Sequence, residues 1–252
     1  MDYIQAVILA IVQGITEWLP ISSSGHLAVI QHLMGLDVPL AFDVILHLGT
    51  LLAVVAFLRR DIWEIVRSSI KGDYKLASYV VLATIPAGLA GILFKKRLEA
   101  LFSNLPAITL AFLFTGLLLL ASRRPAKTRQ LDAKAAFYVG LMQAVSIVPG
   151  VSRSGSTISA GLMLGLGRQE TARFSFLMSL PVILGAAAVE AKGLAHPGLD
   201  IGLILLSVAV SALVGYLSLK LVWKTITEGR FHLFGYYCIF LASGLAAYQL
   251  IP

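Results

Sequence analysis

Apolar residues dominate six stretches of this chain, at 42–58, 76–94, 106–122, 174–191, 199–219 and 232–250. Each approaches the ~20 residues a helix needs to cross the hydrocarbon core of a bilayer. The stretches are rich in Leu and Gly and do not alternate polar with apolar positions. They therefore read as helices packed in lipid and not as strands of a membrane barrel. Two further regions are apolar but interrupted. Residues 3–36 are broken by Gln13, Glu17, Pro20 and the run Ser22-Ser23-Ser24-Gly25-His26. Residues 136–167 are broken by Gln143, Pro149-Gly150 and the run Ser152-Arg153-Ser154-Gly155-Ser156-Thr157. Each reads as two short helices flanking a polar turn. Such backbone is tolerated at membrane depth only where protein or a water-filled cavity satisfies it.

The two interruptions correspond to each other. Gln13 and Gln143 stand 130 residues apart, as do Ser22 and Ser152, Ser24 and Ser154, and Gly25 and Gly155. The spans that follow open on Phe42 and Phe174, 132 apart. The pattern predicts an internal repeat, one half over approximately 1–122 and the other over approximately 132–252, inside a single membrane domain of residues 1–252. Interrupted segments at matching positions of two halves point to a site at the repeat interface.

Composition strengthens the membrane reading and narrows the charge reading. Only 13% of the 252 residues are charged and 58% are hydrophobic, with a mean hydropathy of +0.87. Soluble domains carry about 25% charged residues, so this chain cannot cover a water-facing surface. The formal net charge of +7 is read as Lys and Arg collected in cytoplasmic connections, not as a nucleic-acid surface. Arg59, Arg60, Arg67, Lys71 and Lys75 fall in one loop, and Arg123, Arg124, Lys127, Arg129 and Lys134 in another. Two spans separate these loops, which places both on one side. Lys95, Lys96 and Arg97 fall on the other side and count against that orientation. The acidic start Met1-Asp2-Tyr3 predicts no cleavable signal. The single cysteine, Cys238, excludes an intrachain disulfide.

The candidate chemistry sits in the interruptions. A carboxylate in an apolar helix, Glu17, is by default functional, and Gln13 shares its helical face one turn earlier. In the first run Pro20 ends one helix, Ser caps the next, and free backbone N–H groups make an anion site. His26 lies one turn beyond Ser22 and Ser23, the arrangement that activates a hydroxyl. In the second run Arg153, flanked by Ser152, Ser154, Ser156 and Thr157, stays charged and offers a fork suited to phosphate oxygens. Asp43 and His47 share a face and could reach the site or pair between helices. Thr50, Ser146 and Ser179 read as packing, and Glu190 and His196 as interfacial. No His/Cys/Asp cluster has transition-metal spacing, and no Gly-rich nucleotide loop is present.

At these residues the sequence resembles the undecaprenyl-diphosphate phosphatase family, the bacitracin resistance proteins. The first family motif appears as Gln13-Gly14-Ile15-Thr16-Glu17 and continues through Trp18-Leu19-Pro20-Ile21-Ser22-Ser23-Ser24-Gly25-His26. The second appears as Pro149-Gly150-Val151-Ser152-Arg153-Ser154-Gly155-Ser156-Thr157, and Phe42-Asp43-Val44-Ile45-Leu46-His47-Leu48-Gly49-Thr50 is also family-like. Gln13 stands where many members carry Glu, which argues against an acid-base or metal role at that position.

The resemblance implies an all-α polytopic membrane protein of about six transmembrane helices plus two re-entrant helix pairs, arranged as an inverted-topology repeat. It also implies a divalent-cation-assisted phosphatase of the cytoplasmic membrane, with its site towards the outer face, that recycles a polyprenyl lipid carrier for cell-envelope glycans. On this reading Glu17, Ser23, His26 and Arg153 are catalytic. Gln13, Ser22, Ser24, Ser152, Ser154 and Thr157 bind substrate, and Glu17 ligates Mg²⁺ or Ca²⁺ or orients the base. Ser23 is the expected nucleophile with His26 as base or acid; His26 as nucleophile is the alternative. Membrane lipids and a second copy of the chain are the other expected partners. The competing reading is a secondary transporter or lipid-carrier translocase that uses the same anion site.

Overall fold

The computed structural model describes residues 1–123, 128–190 and 200–250; Arg124, Lys127 and His196 lie outside the described residues. Helices α1 (Tyr3–Thr16) and α2 (Ser23–Leu33) flank the first interruption, and α8 (Ala133–Val145) and α9 (Arg153–Met163) flank the second. Between them run α3 (Leu40–Phe57), α4 (Arg59–Ile70), α5 (Lys75–Leu93), α6 (Lys95–Phe102) and α7 (Leu105–Ala121). After them come α10 (Arg168–Val189), α11 (Ile201–Thr227), a 3₁₀ turn (Phe231–Leu233) and α12 (Phe234–Tyr248). Among the described residues the only extended pairing is an isolated bridge between Arg129 and Leu166.

Among the described residues, five helical units are long and apolar enough to cross a membrane: α3, α5, α10, α11 and the run Phe231–Tyr248. Helices α6 and α7 pass the same test together but are bent by 96°. The chain is an all-α polytopic membrane protein. The stretch at 106–122 is the departure from six straight spans. Asn104 accepts from the Ala107 N–H at 3.0 Å and starts α7 afresh, with Pro106 in its first turn. A second departure is α4, a helix where the basic run predicted a loop. Its Ile62 and Ile65 pack on the core, and Arg173 of α10 pairs with Asp61 and Glu64. Those contacts supply the tertiary support that a short helix lacks alone.

The apolar core passes directly under the first interruption. Trp18, Leu19 and Ile21 pack with Phe176 of α10 and with Leu219 and Val222 of α11. Trp18 meets the Phe176 ring edge-on at 5.5 Å. The turn is therefore held by apolar side chains buried beneath it, which leaves its polar groups to face one another.

The two interruptions meet through their smallest residues. A Cβ on Gly25 would lie 2.8 Å from Gly150 Cα and 2.6 Å from Phe112 Cζ. A Cβ on Gly155 would lie 3.3 Å from the Pro20 carbonyl. These two approaches exchange equivalent positions of the 130-residue spacing, and α2 and α9 are both 11 residues long.

The halves differ in how the turn is made. Gly150 takes φ of 94°, whereas its counterpart Pro20 is locked to negative φ by its ring. In the first turn the positive φ falls instead on Ser22, at 68°, a conformation that costs about 1–3 kcal/mol for a residue with a side chain. Ser22→Gly is expected to raise the melting temperature in detergent, because replacing a Ser cap with Gly costs only a few tenths of a kcal/mol. A lower melting temperature would show that Ser22 is unstrained.

Candidate active site

Glu17, in the turn that ends α1, is 8% exposed and collects three donors and a fourth close nitrogen. Oε1 accepts from Arg153 Nη2 at 2.6 Å. Oε2 accepts from Ser23 Oγ at 2.6 Å and from Gln13 Nε2 at 3.0 Å, with His47 Nε2 at 3.3 Å. A buried carboxylate is tolerated when it is paired and fully hydrogen-bonded, and this one is. It joins the two interruptions: Ser23, at the start of α2, and Arg153, at the start of α9, hold opposite oxygens of one side chain.

Arg153 retains unused capacity. Its Nη1 is buried and has no hydrogen-bond partner, while the guanidinium carbon stands 5.2 Å from the Trp18 ring centroid. The aromatic face and Glu17 hold the group flat. A buried N–H of a guanidinium without an acceptor is costly, so an incoming anion is favoured there. The first turns of α2 and α9 add backbone N–H groups to the same region.

The expected Ser23–His26 hydrogen bond is not made. Ser23 Oγ is held by Glu17, and both His26 nitrogens are engaged elsewhere: Nδ1 with the Ser22 carbonyl at 2.7 Å and Nε2 with Tyr237 Oη of α12 at 2.8 Å. One helical turn brings His26 back to the Ser22 carbonyl, and that contact outcompetes the neighbouring hydroxyl.

The remaining expected binders mostly build the turns. Ser22 Oγ caps α2 by accepting from Gly25 N at 3.3 Å, and Ser152 Oγ caps α9 by accepting from Gly155 N at 3.0 Å. Ser24 and Ser154 lie 3.3 Å from their respective caps. Ser154 Oγ also donates to the Leu19 carbonyl at 3.2 Å, tying the second turn to the first. Thr157 Oγ1 contacts the Arg153 carbonyl at 2.8 Å and Ser175 Oγ at 2.6 Å, so its hydroxyl joins α9 to α10 and is not free for substrate. Gln13 donates to Glu17, while its Oε1 is buried without a partner.

Three residues of the site were discounted or missed in the sequence. His47 reaches Glu17 from α3, with its Nδ1 2.7 Å from the Asp43 carbonyl. Because a carbonyl only accepts, Nδ1 carries a proton. The approach of Nε2 to Glu17 is favourable when that nitrogen is protonated too. Its family-like motif and helical face were the available signals. Thr115 of α7 donates to the Gly150 carbonyl at 3.2 Å and accepts from Ser152 N at 3.1 Å, fixing the second turn. Nothing in sequence marks Thr115 or Tyr237.

A resident divalent cation does not fit this arrangement. Mg²⁺ and Ca²⁺ take six to eight oxygen ligands. Here both Glu17 oxygens already accept from N–H and O–H donors, and the neighbouring Gln13 Oε1 is buried without a partner. Among the described residues no group of three or more His, Cys, Asp or Glu side chains could hold a metal. A cavity of about 420 Å³ beside the site is lined by Asp37, Asp43, Glu99 and Glu190. Of these, Glu190 and Glu99 both pair with Lys95, at 2.5 Å and 3.6 Å.

Comparison with known proteins agrees with the motifs. An undecaprenyl-diphosphatase of Moorella thermoacetica is 43% identical over 256 residues, covering 98% of each chain. One from Methanobrevibacter smithii is 41% identical over 261 residues, 94% of each. One from Rubrobacter xylanophilus is 40% identical over 271 residues and covers both chains completely. The family model described as bacitracin resistance protein BacA matches residues 6–244, which takes in both interruptions, and the chain belongs to that family.

Proposed function

We propose that this chain is a membrane phosphatase that hydrolyses undecaprenyl diphosphate to the monophosphate and inorganic phosphate. The observation that carries the reading is the Glu17 carboxylate, with Ser23 on one oxygen and Arg153 on the other. The terminal phosphoryl group docks at the first turns of α2 and α9, and the prenyl tail lies among the apolar helices. Ser23 Oγ attacks phosphorus as its proton passes to Glu17 Oε2. The bond from phosphorus to the bridging oxygen breaks, and polyprenyl monophosphate leaves. Water then attacks the phosphoserine and loses a proton to His26, Ser23 Oγ leaves and recovers its proton from Glu17, and His26 gives up its proton as inorganic phosphate departs. Arg153 Nη1 binds the phosphoryl oxygens as their charge is redistributed, a contribution of positioning and electrostatics.

Ser23 is favoured over His26 as nucleophile because Ser23 is the group bonded to a carboxylate. A divalent cation, which the family resemblance implies, would have to arrive with the substrate and would supply neutralisation of the diphosphate charge. The halves 1–122 and 132–252 are inverted repeats, with α1–α2 and α8–α9 as re-entrant pairs. The site opens towards the outer face of the cytoplasmic membrane, where carrier recycling serves envelope synthesis. A translocase has no observation of its own in support: an anion clamp does not require a hydroxyl 2.6 Å from a buried carboxylate.

The test is phosphate release by the purified protein in detergent, with no membrane gradient, from a panel of lipid and soluble diphosphates. Catalytic release from the polyprenyl diphosphate is expected. Stoichiometric binding without release would sink the phosphatase reading.

A further inference from the structure

Tyr237 comes from α12, near the other end of the chain, and its hydroxyl is the sole side-chain partner of His26 Nε2 among the described residues. The geometry defines the proton positions. The Ser22 carbonyl, 2.7 Å from Nδ1, can only accept, so Nδ1 carries the proton. In the neutral ring Nε2 then holds a lone pair, and the Tyr237 O–H donates into it. The two rings lie 5.8 Å apart and nearly parallel, at 8°, while Phe112 closes the other side of His26 edge-on at 5.1 Å. His26 is 9% exposed but Tyr237 is 43% exposed. The imidazole therefore meets the surroundings through the phenol.

We infer that Tyr237 is a positioning residue for His26, holding the tautomer with Nε2 unprotonated and passing protons to and from that nitrogen. A phenol suits this because its oxygen both donates and accepts. As Nε2 takes the phenolic proton, Oη takes one from the water that attacks the phosphoserine. The reverse transfer restores both groups, with no net change at Tyr237. The inference rests on the phosphatase reading for its kinetic consequence, but the tautomer does not depend on it.

Tyr237→Phe keeps the ring and removes only the hydroxyl. It is expected to lower kcat for phosphate release by about 10-fold or more, since proton transfer by a positioned group contributes ~10²–10⁴, with KM within twofold of the parent. Combined with His26→Gln it is expected to be no slower than His26→Gln alone. A kcat within twofold of the parent, an effect confined to KM, or losses that multiply in the double variant would each overturn the proposal. Histidine ¹⁵N shifts of the full-length protein, with His26 assigned by its absence from His26→Gln, give a readout apart from turnover. They are expected to show Nδ1 protonated and Nε2 bare, with the Nε2 resonance moving in Tyr237→Phe. An Nε2-protonated neutral ring in the parent overturns the proposal, whereas failure of the parent to release phosphate overturns the phosphatase reading and leaves the tautomer measurement to decide on Tyr237.

Discussion

Arg153→Ala is expected to lower kcat for phosphate release by ~10³–10⁵, the contribution of an arginine that stabilises a transferring phosphoryl group. The side chain is held on three sides, by Glu17 through Nη2, by the Trp18 face and by its place at the first turn of α9. Nη1 is buried without a partner. Its position is therefore set before substrate arrives, which is the condition under which a fixed charge accelerates the step. Arg153→Lys should recover little, because an ammonium cannot hold Glu17 and a phosphoryl oxygen with one planar fork. The check is single-turnover phosphate release with detergent melting curves for each variant. An Arg153→Ala protein that folds and turns over at the parent rate would remove Arg153 from the site.

Glu17→Ala is expected to act on two properties at once. It removes the acceptor for the Ser23 proton, a loss of about 10²–10⁴ in kcat. It also leaves the Arg153 guanidinium, whose side chain is 14% exposed, without its counter-charge. Breaking a buried pair in this way costs about 3–5 kcal/mol, so the variant should melt well below the parent. Ser23→Ala separates the two effects. It deletes the proposed nucleophile but leaves Glu17 with Arg153, Gln13 and His47. It should stay within about 1 kcal/mol of the parent in stability, the scale of one hydrogen bond, while releasing no phosphate. If Ser23→Ala is still active and Glu17→Ala is not, Ser23 is not the nucleophile and the covalent route fails.

Much of this was legible before any coordinates. Hydrocarbon-length apolar runs locate the spans because a helix in lipid has few other ways to satisfy its backbone. The breaks at Pro20 and at Pro149-Gly150 locate the turns because proline and glycine end helices for local reasons. Glu17 and Arg153 stand out because a charge in such surroundings needs a purpose. What failed was pairing by proximity. Ser23 and His26 are neighbours in sequence, yet one helical turn directs the imidazole to its own backbone carbonyl at 2.7 Å. Ser23 turns instead to a carboxylate six residues earlier, across the turn. The hydroxyls of Ser152, Ser154 and Thr157 looked free in sequence and are engaged in capping and helix contacts.

The two Ser-Gly interruptions, their 130-residue spacing and the charged residues within them are properties of the sequence. They determine that this is a membrane protein and mark where a site is expected, because burial of charge and broken helices are costly wherever they occur in lipid. Which groups touch was decided by the tertiary structure alone. Arg153 meets Glu17 from 136 residues away, and Tyr237 meets His26 from 211 residues away. Contacts of that kind depend on how closely the two turns, α7 and α12 can approach. That closeness comes from glycines such as Gly25 and Gly150, whose lack of a side chain lets the two turns touch.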